Sequence, residues 1–316
     1  VDVERLQGER CVTNTFSSAS VAGKPYHTVD CSDIPVVPVH YTRTVAPHPF
    51  VPSHPETLDR RCREILDIQI SGLAKRLLHT HARTAVIGIS GVLDSTLALL
   101  VCVQAFDKLS IPRDRIVGVT MPGFGTTDRT YQNAIGLMQA LGVTVREIPI
   151  REACIQHYKD INHDIAVHDV TYENSQARER TQILMDIANQ TNGMVIGTGD
   201  LSELALGWAT YNGDHMSMYA VSAGIPKTLV KYLVAWVARH RIEDAARAIL
   251  LDIVDTPISP ELIPADEQGN ITQKTEDLVG PYELHDFFLY YMLRFGFRPA
   301  KIYYLAMRAR FDQPYD

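Results

Sequence analysis

The stretch IGISGVLDST, residues 87–96, decides the fold of this chain. An apolar run over residues 84–89 is typical of a buried strand, it breaks at a Ser-Gly pair, and helix-forming residues follow over 93–106. A short turn of this kind points successive backbone N–H groups to the positive end of a helix, where a phosphate group binds well. A turn of small residues between strand and helix is as often simple packing, so both interpretations stand at this point.

The spacing of the turn excludes two common phosphate loops. A Walker loop requires a Lys-Ser/Thr pair, and the dinucleotide fingerprint requires GxGxxG. The turn resembles instead the SGGxDS loop of the N-type ATP pyrophosphatases, which split ATP into AMP and pyrophosphate. Val92 stands where that family has its second glycine. A β-branched residue tolerates positive φ poorly, so Val92 either strains the loop or keeps an ordinary extended conformation.

Composition limits the class of protein. The chain has 316 residues, 46% of them hydrophobic, which is enough for one large domain with an appendage. Its formal net charge of −7 disfavours nucleic acid as a partner. No apolar run approaches 18 residues, which disfavours a membrane partner. Five scattered cysteines without a CxxC pair argue against a disulfide framework and a zinc site, so we expect a cytoplasmic protein.

Residues 1–54 differ from the rest of the chain. Alternation over residues 11–16 predicts one edge strand, and six prolines between residues 35 and 55 prevent a continuous helix or central strand. We interpret residues 1–54 as an extended Pro-rich arm and 55–316 as one domain. Ser53 and Glu56 have the spacing of a capping box, and apolar residues recur at helical spacing from 58 to 77.

From residue 84 onward, strand-like and helix-like segments alternate. This pattern predicts an α/β fold, a doubly wound parallel sheet with helices on both faces, whose ligands bind at the carboxyl ends of the strands. The predicted strands are 85–89, 115–121, 143–148 and 194–197, and the predicted helices are 93–106, 128–140, 151–158, 173–189, 226–239, 242–251, 282–295 and 299–310.

A second loop with carboxylates, GTGDLSE at residues 197–203, follows another predicted strand directly. Asp94 in the first loop and Glu203 in the second bear the oxygen ligands that a Mg²⁺ ion shared with ATP phosphates requires. Capping of the following helix is the alternative interpretation, and it is stronger for Asp200 than for Glu203.

Three further features have a functional and a structural interpretation. The segment LGWATYNGD at residues 206–214 suits a flat polar ligand, with Asp214 as an acceptor, or it is a tight surface turn. Asn174 and Arg178 share one helix face, where Arg178 either binds a phosphate or carboxylate or belongs to a solvent-exposed face. Lys227 follows a proline at a helix start and either reaches a triphosphate or faces solvent.

Together, five runs of sequence resemble NAD synthetase, in particular the synthetase domain of its glutamine-dependent form. They are ISG-x-LDST, YEN-x-QAR-x-R, GTGDLSELALGW-x-TY, GDHMSMY and AGIPKTL. The resemblance extends from about residue 50 to about residue 298. It implies an adenine-nucleotide α-hydrolase-like fold and a ligase that forms a C–N bond. The implied reaction is ATP-dependent amidation of deamido-NAD to NAD through an adenylated intermediate, with release of AMP and pyrophosphate.

The resemblance also assigns residues, motif by motif, and no covalent nucleophile is among them. It implies that ATP contacts Ser90, Gly91, Leu93, Asp94, Ser95, Thr198 and Lys227. It implies that deamido-NAD contacts Asn174, Arg178, Glu203, Trp208, Thr210, Tyr211 and Asp214. Asp94 and Glu203 would bind Mg²⁺.

The family normally has a glutaminase domain before this region, so residues 1–54 would be the remnant of a linker. We therefore expect ammonia as the nitrogen source for this chain and glutamine for the full-length enzyme. A homodimer or higher oligomer is also expected. Two departures, Val92 and the missing C-terminal segment, leave open a catalytically weak nucleotide-binding module. Another ATP pyrophosphatase amidotransferase is the alternative enzyme.

Overall fold

The computed structural model describes residues 2–17, 25, 27–30, 32–33, 42–242, 244–256, 262–263 and 275–315. The chain divides into two compact units, one made of Val1–Pro49 with Glu283–Asp316 and the other of Phe50–Tyr282. The predicted separation of a linker remnant, 1–54, from a synthetase domain, 55–316, is not tested by this division and stays a prediction.

The larger unit is built on a parallel sheet of five strands in the order β3-β2-β1-β4-β5. The strands are β1 Thr84–Gly88, β2 Ile116–Thr120, β3 Thr144–Glu147, β4 Gly193–Gly197 and β5 Tyr219–Ala220. Four of them confirm the predicted strands, whereas β5 has two residues and was not predicted. The chain runs outward from β1 to β3 and returns to β4 beside β1. The carboxyl ends of β1 and β4 therefore form the switch point at which such sheets bind ligands.

Helices lie in both units of the chain, and those of the larger unit connect the strands and flank the sheet. They are α1 Val3–Val12, α2 Asn14–Ser17, α3 Pro55–Thr80, α4 Leu93–Lys108, α5 Asp128–Ala140, α6 Arg151–Asp160, α7 Val170–Gln190, α8 Leu201–Leu206, α9 Lys227–His240, α10 Asp244–Val254, α11 Thr275–Val279, α12 Tyr282–Phe295 and α13 Pro299–Ala306. A short 3₁₀ helix, Arg113–Arg115, precedes β2. No helix in the described part of the chain combines the length and the apolar character that crossing a membrane requires.

Two apolar clusters cover the two faces of the sheet. Ala85 and Ile87 of β1 point into a core with α3, α4, α5, α9 and α10. Val86, between them, points into a second core with α6 and α7. Successive side chains of a strand alternate between faces, so both cores draw on the same strands. The doubly wound α/β fold is thus confirmed.

The prediction of an edge strand at residues 11–16 is wrong, as is that of an extended arm over residues 3–17. Helix α1 begins after Asp2, whose side chain accepts a hydrogen bond from the backbone N–H of Arg5. Helix α1 has no buried residue, so the alternation of apolar residues there does not correspond to a side packed on a core. Local capping decides the conformation there. Pro35 and Pro38 of the predicted arm lie outside the described residues.

The capping box predicted for Ser53 and Glu56 is also wrong. Helix α3 begins one residue further on, with His54 as its N-cap in an extended conformation and without a side-chain cap. Pro55 is the first helical residue, and its fixed φ and missing N–H suit that position. The proline therefore sets the start of α3, and the apolar residues predicted at helical spacing line its buried side.

In the smaller unit, α12 and α13 pack through an apolar cluster that includes Phe287, Phe297 and Ile302. The ammonium group of Lys301 pairs with the carboxylates of Asp2 and Glu4. These contacts connect the two ends of the chain within that unit.

Candidate functional site

The turn after β1 has a conformation that requires glycine. Gly91 has a φ of +86°, and a Cβ atom there would lie 2.0 Å from the backbone oxygen of Thr130. The turn is closed by side chains, since Ser95 Oγ lies 3.1 Å from Ser90 Oγ and accepts a 3.3 Å hydrogen bond from the Ser90 N–H. Ser95 Oγ also donates to the carbonyl oxygen of Val92 at 3.2 Å. The two serines predicted for this loop, Ser90 and Ser95, therefore hold its shape.

Val92 causes no strain in this turn. It has φ −113° and ψ 175°, which is ordinary extended backbone, and it is the N-cap residue of α4. The conformation that favours glycine falls on Gly91 instead. Of the two interpretations of Val92, the structure supports the extended one, and the strain argument is wrong. Leu93, the next residue, has its side chain in the core, so only its backbone is available to a nucleotide.

Three carboxylates converge at the carboxyl ends of β1 and β4. Asp94 is in the first turn of α4, Asp200 is the N-cap of α8, and Glu203 is in the first turn of α8. One oxygen from each lies within 4.8 Å of the others. The structure thus brings together Asp94 and Glu203, the pair predicted to bind Mg²⁺, and adds Asp200 to them.

Lys227 lies among these carboxylates. Its Nζ atom is 2.7 Å from Asp94 Oδ2, 2.8 Å from Asp200 Oδ2 and 2.8 Å from Glu203 Oε1. The side chain is only 2% exposed, so the solvent-facing interpretation of Lys227 is wrong. Its backbone N–H donates to Ser202 Oγ at 2.9 Å, which fixes the first residue of α9 beside α8.

Burial and mutual repulsion perturb the acids of this cluster. Burial, reinforced by the charge of Asp94, raises the pKa of Glu203 to about 8. The same two causes, with an opposing effect from Lys227, raise the pKa of Asp200 to about 6. Burial alone would lower the pKa of Lys227, but the three carboxylates outweigh it and raise it well above the ordinary value for lysine. The cluster therefore holds more negative charge than one ammonium group balances.

Sequence reasoning favoured Asp200 as a helix cap and left it out of the predicted Mg²⁺ site. Asp200 and Glu203 do form a capping box, because Asp200 Oδ1 accepts from the Glu203 N–H at 2.8 Å and Glu203 Oε2 accepts from the Asp200 N–H at 3.3 Å. The second oxygen of each carboxylate faces Lys227. Capping and site formation are therefore not alternatives. The available signal was a carboxylate three residues after a buried strand.

The donor set fits a hard divalent cation. Carboxylate oxygens are the ligands that Mg²⁺ prefers in proteins. Asp94 Oδ1 is a buried oxygen without a hydrogen-bond partner in the described chain, so it is available to bind a metal ion. Asp94, Asp200 and Glu203 are thus suited to hold such an ion.

A second polar group lies between α7 and the loop after α8. Thr210 Oγ1 donates to Asn174 Oδ1 at 2.8 Å, and Arg178 Nε donates to the carbonyl oxygen of Tyr211 at 3.1 Å. The Thr210 N–H donates to Asp214 Oδ1 at 2.7 Å, and burial raises the pKa of Asp214. The structure therefore brings together five of the seven residues predicted on the deamido-NAD side.

Two aromatic side chains of this loop, those of Tyr211 and Trp208, are at least partly exposed. Tyr211 is 75% exposed, and its ring stacks on that of His215 with centroids 6.1 Å apart. Trp208 is half-buried, and its backbone N–H donates to the backbone carbonyl oxygen of Glu203 at 2.9 Å, which fixes the start of this loop to α8. Thr198, also half-buried, lies just after β4. Flat aromatic faces beside polar acceptors suit a nucleotide or pyridine ring.

The sheet order and the turn after β1 define the class of fold, which is adenine-nucleotide α-hydrolase-like. The structure is similar to that of NMN synthetase from Francisella tularensis, with a TM-score of 0.62 and 22% identity over 80% of this chain and 98% of that one. It is also similar to glutamine-dependent NAD⁺ synthetase from Acinetobacter baumannii in complex with ADP, with a TM-score of 0.57 and 22% identity over 78% and 43% of the two chains. At this identity, these likenesses establish the fold.

Sequence comparison then gives the family. The NAD synthase family profile matches residues 65–291, so the chain belongs to the NAD synthase family. The glutamine-dependent NAD(+) synthetase of Mycobacterium leprae is 45% identical over 323 aligned residues. That alignment covers 99% of this chain and 47% of the relative, so the chain spans about half the length of that curated relative.

Proposed function

We propose that this chain catalyses the ATP-dependent amidation of deamido-NAD to NAD, with AMP and pyrophosphate as the other products. Family membership supports the reaction, and the observation that carries the proposal is the cluster of three carboxylates and Lys227 beside the turn at Gly91. A phosphate turn next to a cation site is the arrangement that an ATP-cleaving enzyme requires.

Two displacements make up the reaction. The nicotinate carboxylate of deamido-NAD attacks the α-phosphorus of ATP, and pyrophosphate leaves. Ammonia then attacks the carbonyl carbon of the resulting mixed anhydride, and AMP leaves as the new C–N bond forms. Neither step needs a nucleophile from the protein, so catalysis rests on positioning and on charge neutralisation.

The residues of this chain divide between the two substrates. The backbone N–H groups of residues 90–95, with Ser90 and Ser95, hold phosphate oxygens, and Lys227 and Thr198 contact ATP. Mg²⁺, held by Asp94 and Glu203, would neutralise phosphate charge. The residues of α7 and the loop after α8 bind deamido-NAD: Asn174, Arg178, Trp208, Thr210, Tyr211 and Asp214.

Ammonia is the nitrogen source that we propose for this chain. For the whole protein we propose glutamine, whose ammonia is released by a glutaminase domain, since the Mycobacterium leprae relative is named glutamine-dependent. We also propose a cytoplasmic protein that forms a homodimer or a higher oligomer. The apolar residues of α9 do not support the oligomer, since Leu233, Val234 and Val237 are buried in the core of this chain. The oligomer therefore rests on the family alone.

A coupled assay tests the proposal. The purified chain is given ATP, Mg²⁺ and ammonium, with deamido-NAD, with nicotinate mononucleotide or with no acceptor, and pyrophosphate, AMP and NAD are measured. We expect equal amounts of AMP and NAD with deamido-NAD, and no NAD when ammonia-free glutamine replaces ammonium. Pyrophosphate release with another acceptor only would show a different amidotransferase. ATP binding without any turnover would show a nucleotide-binding module.

A pair of variants connects the activity to the site. Glu203→Ala removes a carboxylate of the cluster, whereas Glu152→Ala removes an exposed one from α6. We expect the first change to abolish AMP formation and the second to leave it unchanged. Near-normal turnover by Glu203→Ala would show that Glu203 only caps α8.

A further inference from the structure

Lys227 occupies the position of a cation in the carboxylate cluster. Its ammonium nitrogen lies 2.7 to 2.8 Å from one oxygen of each of the three carboxylates. The Asp200 side chain is fully buried and the Lys227 side chain is 2% exposed. The ammonium group is therefore enclosed by the same oxygens that would bind a divalent ion.

A divalent ion and this ammonium group cannot share those oxygens. Both would need Asp94, Asp200 and Glu203 at bonding distance, and their positive charges would repel each other strongly in a buried site. The three carboxylates nevertheless carry more negative charge than Lys227 balances, so a divalent ion is the better partner once Lys227 has left. A lysine stem of four carbons allows this movement without a change in the backbone of α9.

We propose that Lys227 is the resident cation of this site, that it competes with the divalent ion for the same three carboxylates, and that Asp200 is the third metal ligand. Binding of the ion displaces the ammonium group from the cluster. The phosphates of ATP then bind the displaced ammonium group of Lys227. This last point rests on the proposed function. Lys227 thus neutralises part of the charge of the carboxylates until metal and nucleotide bind.

Mn²⁺ binding to the nucleotide-free chain tests the competition, with the free ion followed by electron paramagnetic resonance. Lys227→Met removes the ammonium group, and Lys231→Met removes an exposed one from the same helix. We expect Lys227→Met to bind one Mn²⁺ at least about tenfold more tightly than the unmodified chain, because one buried positive charge is gone. We expect Lys231→Met to be unchanged. Equal affinity in Lys227→Met and the unmodified chain would overturn the proposal.

The role of Asp200 is tested in the same titration. Asp200→Asn keeps the shape and the cap acceptor for the Glu203 N–H but lacks the charge. Combined with Lys227→Met, it should weaken Mn²⁺ binding at least about tenfold, whereas the exposed change Asp186→Asn in that background should not. An Asp200→Asn variant with full affinity would show that only two carboxylates bind the ion.

A measurement on the unmodified chain covers the case in which Lys227→Met does not fold. The buried ammonium group should give a slowly exchanging ¹H–¹⁵N signal in a lysine-selective NMR spectrum. Mg²⁺ should remove or shift this signal with the same saturation curve as its displacement of bound Mn²⁺ in the resonance titration. Metal binding that leaves the signal unchanged would overturn the competition. These titrations need neither deamido-NAD nor turnover. A chain that fails to catalyse the proposed reaction could therefore still show the competition between Lys227 and the metal ion.

Discussion

Replacement of Gly91 by alanine should be far more destabilising than the same change at Gly142. Both glycines have positive φ, +86° at Gly91 and +71° at Gly142. Each alanine therefore bears the cost of a left-handed conformation, about 1–2 kcal/mol. The surroundings differ, since nothing lies within 4 Å of a Cβ at Gly142. The Gly142 variant is thus a matched control for the conformational cost alone.

At Gly91 the added methyl group meets backbone atoms of α5. The Cβ would lie 2.0 Å from the oxygen and 2.9 Å from the carbon of the Thr130 carbonyl, and 3.2 Å from the nitrogen of Ala134. Backbone atoms cannot rotate away, so the turn or α5 must shift, at an overpacking cost of about 1–3 kcal/mol. The total expected loss in the free energy of unfolding is about 2–5 kcal/mol for Gly91→Ala, against about 1–2 kcal/mol for Gly142→Ala.

Urea denaturation followed by tryptophan fluorescence measures both changes. The two tryptophans of the chain, Trp208 and Trp236, lie in the unit of residues 50–282, as do both glycines, so the signal reports on that unit. Equal destabilisation of the two variants would refute the steric argument. It would show that the turn relaxes around the methyl group without disturbing α5.

Three further predictions concern the neighbouring parts of the site. Val92→Gly should leave the affinity for Mg–ATP within about twofold in isothermal titration, because Val92 already has an extended conformation. It should lower the free energy of unfolding by about 0.5–1 kcal/mol, because glycine adds backbone entropy to the unfolded chain. A tenfold gain in affinity would contradict this. Thr210→Val removes the hydrogen bond to Asn174 and should raise the KM for deamido-NAD about fivefold, equivalent to about 1 kcal/mol, with the KM for ATP unchanged in steady-state kinetics; equal rises in both would show a general disturbance. The third prediction concerns pH. The pKa of Glu203 is raised to about 8 from an ordinary 4.5. Between about pH 4.5 and 8, Glu203 is therefore protonated in the metal-free folded state but ionised in the unfolded state. The free energy of unfolding should therefore fall as pH rises through this window, and Glu203→Gln should show a shallower fall in denaturation at pH 5, 6, 7 and 8; identical slopes would contradict the assignment.

The sequence was most informative where structure is set by nearby residues. Strands β1 to β4 and the helices between them follow from apolar periodicity and from glycine and proline at their ends, both of which are local signals. The turn at Gly91 was recognisable for the same reason. The predicted capping box at Ser53 failed because Pro55, also local, is a stronger start signal for α3.

Contacts between distant segments were not predictable in this way. Strand β5 has two residues, too few for a periodic pattern, and it exists because Tyr219 and Ala220 pair with the end of β4. The alternation of strands and helices predicts a parallel sheet but does not give the strand order. Only the observed order shows that β1 and β4 are neighbours and that their loops meet.

The sequence by itself thus determined the class of fold, the glycine-dependent turn after β1 and the family motifs, because each depends on a short continuous segment. Only the tertiary structure decided that Lys227 pairs with Asp94, 133 residues away, and that Asp200 caps α8 and completes the carboxylate cluster. Burial is the physical reason. A charge in water needs no particular partner, but a lysine and an aspartate removed from water must find each other, and the sheet order places them in reach.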